Sequence, residues 1–333
     1  MTTTITSTEA PEPTRLRVAV LGGGRNDEHD VSLASAHAVV RALSARHDVT
    51  AVTIGRDGGW FVEGRAVSAA EGAGALAAAD VVFPALHGRN GEDGAAAGLL
   101  EFLGVSSVGS GVIAGAIAMD KRQTKLLAAE LGIRTAHGRS SRRGDAPPEW
   151  TGPVVVKPLS AGSSQGVTLV EKPEHLADAL AEAWAHDDTA LVEELIRGRE
   201  IDVAVLESAN GALRCAPILE IPRPVGTLFS HDAKYGGDPG FIIPAPLPTA
   251  VRAAAENAAE AMFRALGCRD LARVDFFLDE DGLILNEVNT MPGLTERSQL
   301  PAMVASEGTG YAAFLDGLVR AAWSRRTATP IRV

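Results

Sequence analysis

The 333-residue sequence predicts an α/β protein in which an N-terminal domain with a parallel sheet precedes two smaller α+β lobes. Three observations support this. Apolar strand-like runs and helical patterns alternate through the first third of the chain, with glycine-rich turns between them. A polar, Pro-containing connection at residues 137–152 then leads into a strand–loop–strand segment at 154–170. A β-hairpin at 271–289 and two closing helices end the fold. Strand–helix alternation points to a parallel sheet with helices on both faces, and this length exceeds a single ordinary core.

Residues 16–21 (LRVAVL) form an apolar run that ends in three glycines, and a helical pattern follows over 31–43. Further strands are expected at 48–54 and 80–86, then the loop HGRNGEDG and a helix at 95–103. This sets the first domain at 16–115, behind a tail of residues 1–15. A helix at 119–132 opens a central lobe, 116–196, in which strands at 154–157 and 167–170 flank the loop PLSAGSSQG. A helix at 173–185 and a strand at 190–195 complete that lobe. The last lobe, 197–325, holds strands, a long loop at 223–240, an Ala-rich helix at 249–266, the hairpin and the closing helices, with 326–333 as a tail.

A formal net charge of −11 argues against a nucleic-acid partner, which needs a basic surface. It leaves a nucleotide substrate open, because a few convergent lysines and a cation can hold a triphosphate. The two cysteines, Cys215 and Cys268, are far apart and in no metal-like spacing, as expected of reduced thiols. No apolar run is long enough for a membrane span. The first 14 residues lack the basic start and apolar stretch of a signal peptide, so the expected location is the cytoplasm.

The most informative segment is RVDFFLDEDGLILNEVNTMPG, residues 273–293. The turn signal at 279–282 between two apolar runs predicts the hairpin. Side chains two apart share a face of a strand, so Arg273, Asp275 and Phe277 point together, as do Glu287 and Asn289 on the partner strand. With the turn centred near Glu280-Asp281, Asp275 lies across from Asn286 or Glu287. Two carboxylates and an amide oxygen beside an arginine form a hard donor set suited to Mg²⁺. The plainer alternative is a charge pair on a solvated strand face. Against it, Val274, Phe276, Leu285 and Val288 make the other face strongly apolar.

No G-x-x-x-x-G-K-[ST] occurs, which disfavours a P-loop NTPase. The glycines at 22–24 do not make a G-x-G-x-x-G fingerprint, which disfavours a dinucleotide fold. Instead the small residues 161–166 (AGSSQG) follow Lys157 and can bring backbone N–H groups close to an anion.

Together these segments resemble the ATP-grasp superfamily, and within it the D-alanine–D-alanine ligase family. The resemblance runs in order through GGGRNDEHDVSLASA (22–36), FPALHGRNGEDG (83–94), VGSGVIAGAIAMDKRQTK (108–125), VVVKPLSAGSSQGV (154–167), VEELIRGREI (192–201), HDAKY (231–235) and the hairpin. It implies an ATP-grasp fold with a Rossmann-like N-terminal domain and two lobes clamping ATP. The implied reaction joins two D-alanines through an acyl phosphate, for peptidoglycan precursors. By the same resemblance Lys121, Lys157 and Lys234 hold ATP phosphates, Glu193, Glu194 and Ile196 border the adenine, Glu200 binds the ribose and Phe277 packs on the base. Asp275, Glu287 and Asn289 coordinate two Mg²⁺ ions, for which Mn²⁺ can substitute. Arg273 and the Gly293 amide face the oxyanion, Ser298 and the Gln299 N–H take the second substrate's carboxylate, and His87 lies beside the substrates. Asp30 meets the first substrate's ammonium and links with Ser163 and Tyr235 to close a lid formed by the 161–166 loop and residues 223–240. The family resemblance also implies a homodimer.

The sequence departs from the family pattern at several positions. Asp30 stands where a glutamate is expected, Gln165 and Gln299 where apolar residues are expected, and His231 where tyrosine is frequent. These departures leave open a different second substrate, such as D-lactate, D-serine or another amino acid, in a specialised pathway. By the family resemblance, the presence of Tyr235 favours a dipeptide product over a depsipeptide.

Overall fold

The computed structural model describes residues 14–222 and 240–328, with side chains to residue 325. It contains three sheets. In the first, β1 (Arg17–Gly23), β2 (Asp48–Ile54), β5 (Val81–Pro84) and β6 (Ser106–Ser107) run parallel. The short strands β3 (Trp60–Val62) and β4 (Arg65–Val67) add antiparallel to β2, giving the order β4-β3-β2-β1-β5-β6. β1 is almost wholly buried because helices cover both faces, as its unbroken apolar run requires. Those helices include α1 (His29–Leu43), α2 (Ala69–Ala77) and α3 (Ala95–Phe102). The strands β3 and β4 and helix α2 were not expected from the sequence.

Helix 119–132 of the sequence reading is α5 (Lys121–Glu130), and α4 (Val112–Met119), which was not expected from the sequence, precedes it. Asp120 divides them. Its backbone is extended, and its carboxylate caps α5 by accepting from the N–H groups of Arg122 and Gln123. Ala114, Ala118 and Ala128 share a core with Val274, Phe276 and Leu285, so these helices pack on the third sheet, not on the central one.

The central sheet has the order β7-β10-β8-β9, all antiparallel: β7 (Gly138–Arg142), β8 (Val154–Pro158), β9 (Thr168–Val170) and β10 (Thr189–Glu194). Helix α6 (Leu176–His186) covers it. β7 lies inside the segment read as a polar connection. The third sheet joins β11 (Arg199–Glu207), β12 (Leu213–Cys215), β13 (Leu219–Ile221), β14 (Leu271–Asp279) and β15 (Gly282–Asn289), backed by α7 (Thr249–Leu266). After α8 (Gln299–Ser306), helix α9 (Tyr311–Ala328) returns to the first sheet. There Phe314, Leu315, Leu318 and Val319 share a core with Val18, Val39 and Phe83. The expected loop at 223–240 lies outside the described residues except for Gly240. Among the described residues no helix is long and apolar enough to cross a membrane.

Candidate active site

The β14–β15 hairpin builds the centre of the site. Its ladder starts from the pair Asp279–Gly282. A regular ladder continued from there would set Asp275 against Asn286 and turn Glu287 to the side of Val274, in the core. The register instead shifts between Asp275 and Phe276, leaving Asn286 as a bulge. Beyond it Asp275 faces Glu287 and Arg273 faces Asn289, so the four side chains share one face. Val274, Phe276, Leu285 and Val288 are buried on the other.

Arg273 donates from Nε and Nη2 to the two oxygens of Asp275, both at 2.7 Å, and Asn289 Nδ2 donates to Asp275 Oδ2 at 3.0 Å. Burial works against the guanidinium charge, but Asp275, Asp202 and Glu287 outweigh it and raise the Arg273 pKa above its usual value. Arg273 is therefore a fixed cation. The donors on this face are all hard oxygens, and they fit Mg²⁺ better than a softer metal. Among the described residues no group of three His, Cys, Asp or Glu forms a metal cluster, so such a site needs the Asn289 amide oxygen as well as the two carboxylates.

Lys121 and Lys157 reach this hairpin, and Lys125 joins Lys157 at Glu193. Lys121, the first residue of α5, donates to the Ala161 carbonyl at 2.6 Å and lies 3.8 Å from Glu287 Oε2. Lys157 on β8 lies 2.6 Å from Glu193 Oε2 and donates to the bulged Asn286 at 3.3 Å. Lys125 was missed in the sequence reading, although it lies one helical turn after Lys121 and so shares its face. It pairs with the other Glu193 oxygen and donates to the Ala136 carbonyl at 2.8 Å. Burial pushes the Lys121 and Lys125 ammonium pKa values down. Burial also opposes the Glu193 charge, yet Lys157 and Lys125 hold that carboxyl below its usual range. Lys121, Lys157, Glu193, Glu194, Ile196, Glu200 and Phe277 border a slot of about 100 Å³. The Glu194 side chain is turned back to accept from the His137 N–H at 2.8 Å.

A larger cleft of about 910 Å³ adjoins this slot, between the start of α1, the 87–92 loop, the 161–165 loop, the hairpin face and the start of α8. His87 is buried at its edge, with Nδ1 2.9 Å from the Met291 carbonyl and Nε2 2.7 Å from Ser35 Oγ. Burial lowers its pKa, but the hydrogen bond and charge of Glu92, with Glu28 and Met291, leave it raised overall. Ser298 holds the N-cap position of α8 without a side-chain capping bond, and its hydroxyl instead lies 2.8 Å from Thr295 Oγ1. At Gly293 an added Cβ would lie 3.0 Å from Ser298 Oγ, so this close approach of backbone leaves little room for a side chain.

One expected contact is corrected. Ser163 bonds not to Asp30 but to Glu28, donating to Oε2 at 2.5 Å. The Asp30 side chain is 81% exposed and accepts from Arg56 at 2.7 Å. Asp30 stays at the exposed rim of the large cleft, and the buried carboxylate there is that of Glu28. Helix α1 starts at His29, and positions two apart on a helix point about 200° apart. With Glu28 turned inward, Asp30 must face out. Gly88 and Gly162 make room for Glu28, since an added Cβ would meet Oε1 at 2.6 and 2.7 Å. Ser163 and Ser164 adopt positive φ of 50° and 56°, uncommon for residues with a side chain. The 161–166 loop is thus docked on both α1 and Lys121. His186 Nδ1, 2.9 Å from Asp27 Oδ2, adds a second link between the central lobe and the first domain. Lys234, Tyr235 and His231 lie outside the described residues.

A parallel-sheet domain followed by two lobes that enclose convergent lysines and a carboxylate hairpin is the architecture of an ATP-grasp enzyme. The family model described as D-ala D-ala ligase N-terminus matches residues 17–75 and 65–110, and that described as D-ala D-ala ligase C-terminus matches 144–320. D-alanine–D-alanine ligase A of Mesorhizobium japonicum is 39% identical over 353 residues, which cover 94% of this chain and 99% of that protein. The D-alanine–D-alanine ligase of Rhodococcus jostii is 39% identical over 359 residues, covering 93% and 98%. Among solved structures, the D-alanine-D-alanine ligase from Coxiella burnetii superposes with a TM-score of 0.78 at 29% identity, covering 95% and 96% of the two chains. The chain belongs to the D-alanine–D-alanine ligase family, whose members are ATP-dependent ligases.

Proposed function

We propose that this protein joins two D-alanines into D-alanyl-D-alanine, converting ATP to ADP and phosphate, for peptidoglycan precursor synthesis in the cytoplasm. The observation that carries this reading is the common face of Arg273, Asp275, Glu287 and Asn289, beneath Lys121 and Lys157 and beside the start of α8.

A carboxylate is too electron-rich for attack by an amine. One carboxylate oxygen of the first D-alanine therefore takes the γ-phosphoryl group of ATP, and ADP leaves. The second D-alanine's amine then attacks the acyl carbon, the C–O bond to phosphate breaks, and the amine loses its proton. Lys121, Lys157 and, from outside the described residues, Lys234 offset charge on the phosphates. When bound, two Mg²⁺ ions (or Mn²⁺) held by Asp275, Glu287 and Asn289 neutralise charge on the transferring group. Phe277, Glu193, Glu194, Ile196 and Glu200 border the nucleoside. Glu28 takes the role first given to Asp30 and holds the first ammonium, oriented by Ser163. Arg273 and the Gly293 N–H face the oxyanion of the tetrahedral intermediate. Ser298 and the N–H of Gln299 at the start of α8 receive the second carboxylate, as a helix N-terminus favours. His87 and Tyr235 border the substrates. The docked 161–166 loop excludes water that would hydrolyse the acyl phosphate.

D-Alanine carrying ¹⁸O in its carboxylate provides the test. Transfer of one label to the released phosphate, together with D-alanyl-D-alanine by mass spectrometry, is expected. Unlabelled phosphate, or no dipeptide from D-alanine, would overturn the reading. We also propose a homodimer, supported by exposed Phe102 and Ile113 on the neighbouring helices α3 and α4. A sedimentation mass near 34.6 kDa, that of one chain, would refute the dimer.

A further inference from the structure

Asp202 lies fully buried on β11, directly across from Asp275. Its Oδ2 accepts a hydrogen bond from Gln299 Nε2 at 2.6 Å and lies 3.6 Å from Arg273 Nε. Gln299 is the first residue of α8, directly after Ser298, and it lines the large cleft.

The two ends of an amide are hard to tell apart by shape, and the hydrogen-bond network decides between them. Here that network gives a clear answer. A carboxylate beside a guanidinium accepts hydrogen bonds and does not donate them. The Gln299 nitrogen must therefore face Asp202, which turns its carbonyl oxygen away from that carboxylate. Because Gln299 borders the cleft, this oxygen is the end of the side chain left for a bound molecule. A leucine or methionine here would offer no acceptor, and it would also remove a donor from a buried carboxylate, which costs stability.

We infer that Gln299, oriented by Asp202, is a specificity-determining residue of the second-substrate subsite. Through it the subsite takes a small D-amino acid with a side-chain hydroxyl, of the D-serine class, as well as D-alanine. The inference rests on the ligase reading above. It adds a selection on the side chain of the second substrate, with the reacting amine and the chemistry unchanged. The methyl group of D-alanine leaves the Gln299 oxygen to water, whereas a hydroxyl donates to it directly.

The experiment supplies the full-length protein with ATP, Mg²⁺, D-alanine and D-serine. D-Alanyl-D-serine and D-alanyl-D-alanine are then quantified by tandem mass spectrometry, which also tells the mixed dipeptide from its reverse sequence. The readout is the ratio of the two kcat/KM values for the second substrate, which does not depend on the fraction of enzyme that is folded. Both Gln299→Met and Asp202→Asn should lower the D-serine to D-alanine ratio, the first by about tenfold, as expected for one hydrogen bond. A purely structural role would reduce both products together and leave the ratio unchanged. An unchanged ratio in both variants, or no D-alanyl-D-serine from the unaltered protein, overturns the inference. Loss of D-alanyl-D-alanine as well, in the unaltered protein, would instead overturn the ligase reading on which it rests.

Discussion

The hairpin 271–289 and the turn before α1 both supply acidic groups to one cleft, yet they differ in how their side chains are aimed. In the hairpin, a period of two and a two-residue turn at Glu280-Asp281 set the faces, and one bulged residue completes them. In the segment RNDEHD, three acids fall within four positions, with no strand period to choose among them. There the choice is made by where the helix begins and by what docks on it. Glu28 turns to the Ser163 hydroxyl and Asp30 to Arg56. Regular backbone makes side-chain direction readable, whereas a helix entrance becomes readable only once its first turn is fixed.

The strongest way to break this comparison is to insert a glycine between Asn286 and Glu287. With a single bulged residue retained, the glycine would take the place across from Asp275, turning Glu287 toward the apolar core and Val288 toward the cleft. Burying an unpaired carboxylate costs several kcal/mol or forces the strand apart. The insertion is expected to abolish activity and to lower the melting temperature sharply in calorimetry. A stable, active insertion variant would mean that the register is set elsewhere. Glu287→Ala is narrower, because the register remains. Turnover should fall by about a thousandfold or more, as when a group that stabilises transition-state charge is removed, while circular dichroism stays native. Phosphate release within tenfold of the unaltered protein would remove Glu287 from its proposed role.

What the sequence made legible follows the same division. The hairpin bounds and helix 249–266 match the structure because turn residues and apolar periodicity are local signals. The shared face of Asp275, Glu287 and Asn289 was read from parity on each strand, but the two faces meet only through the Asn286 bulge. Lys157, from the central lobe, helps hold that bulge, and no local pattern announces it. The Glu193 clamp likewise depends on β10 meeting α5 across about 68 residues of chain, a tertiary contact with no local period. The inward direction of Glu28 did have a signal. Residues 28, 32, 35 and 39 follow the spacing of one helix face and are all buried, whereas Asp30 falls off that stripe.

The smallest expected effect sharpens the comparison most, because Glu28 and Asp30 are separated by a single residue. Glu28→Gln keeps the shape and can still accept from Ser163, but it removes the charge proposed to meet the first ammonium. A charge-assisted hydrogen bond lost in a buried setting should raise the KM for the first D-alanine by about ten- to a hundredfold. Asp30→Asn breaks only the pair with Arg56, whose two side chains are 81% and 56% exposed. Water screens such a pair, and its contribution is about 0–1 kcal/mol. The Asp30 variant should therefore keep its KM for D-alanine within about twofold and its melting temperature nearly unchanged, because nothing buried depends on that carboxylate. A large rise in KM for Asp30→Asn with little change for Glu28→Gln would return the ammonium site to Asp30, and would imply that the α1 entrance rotates by about half a turn when substrate binds.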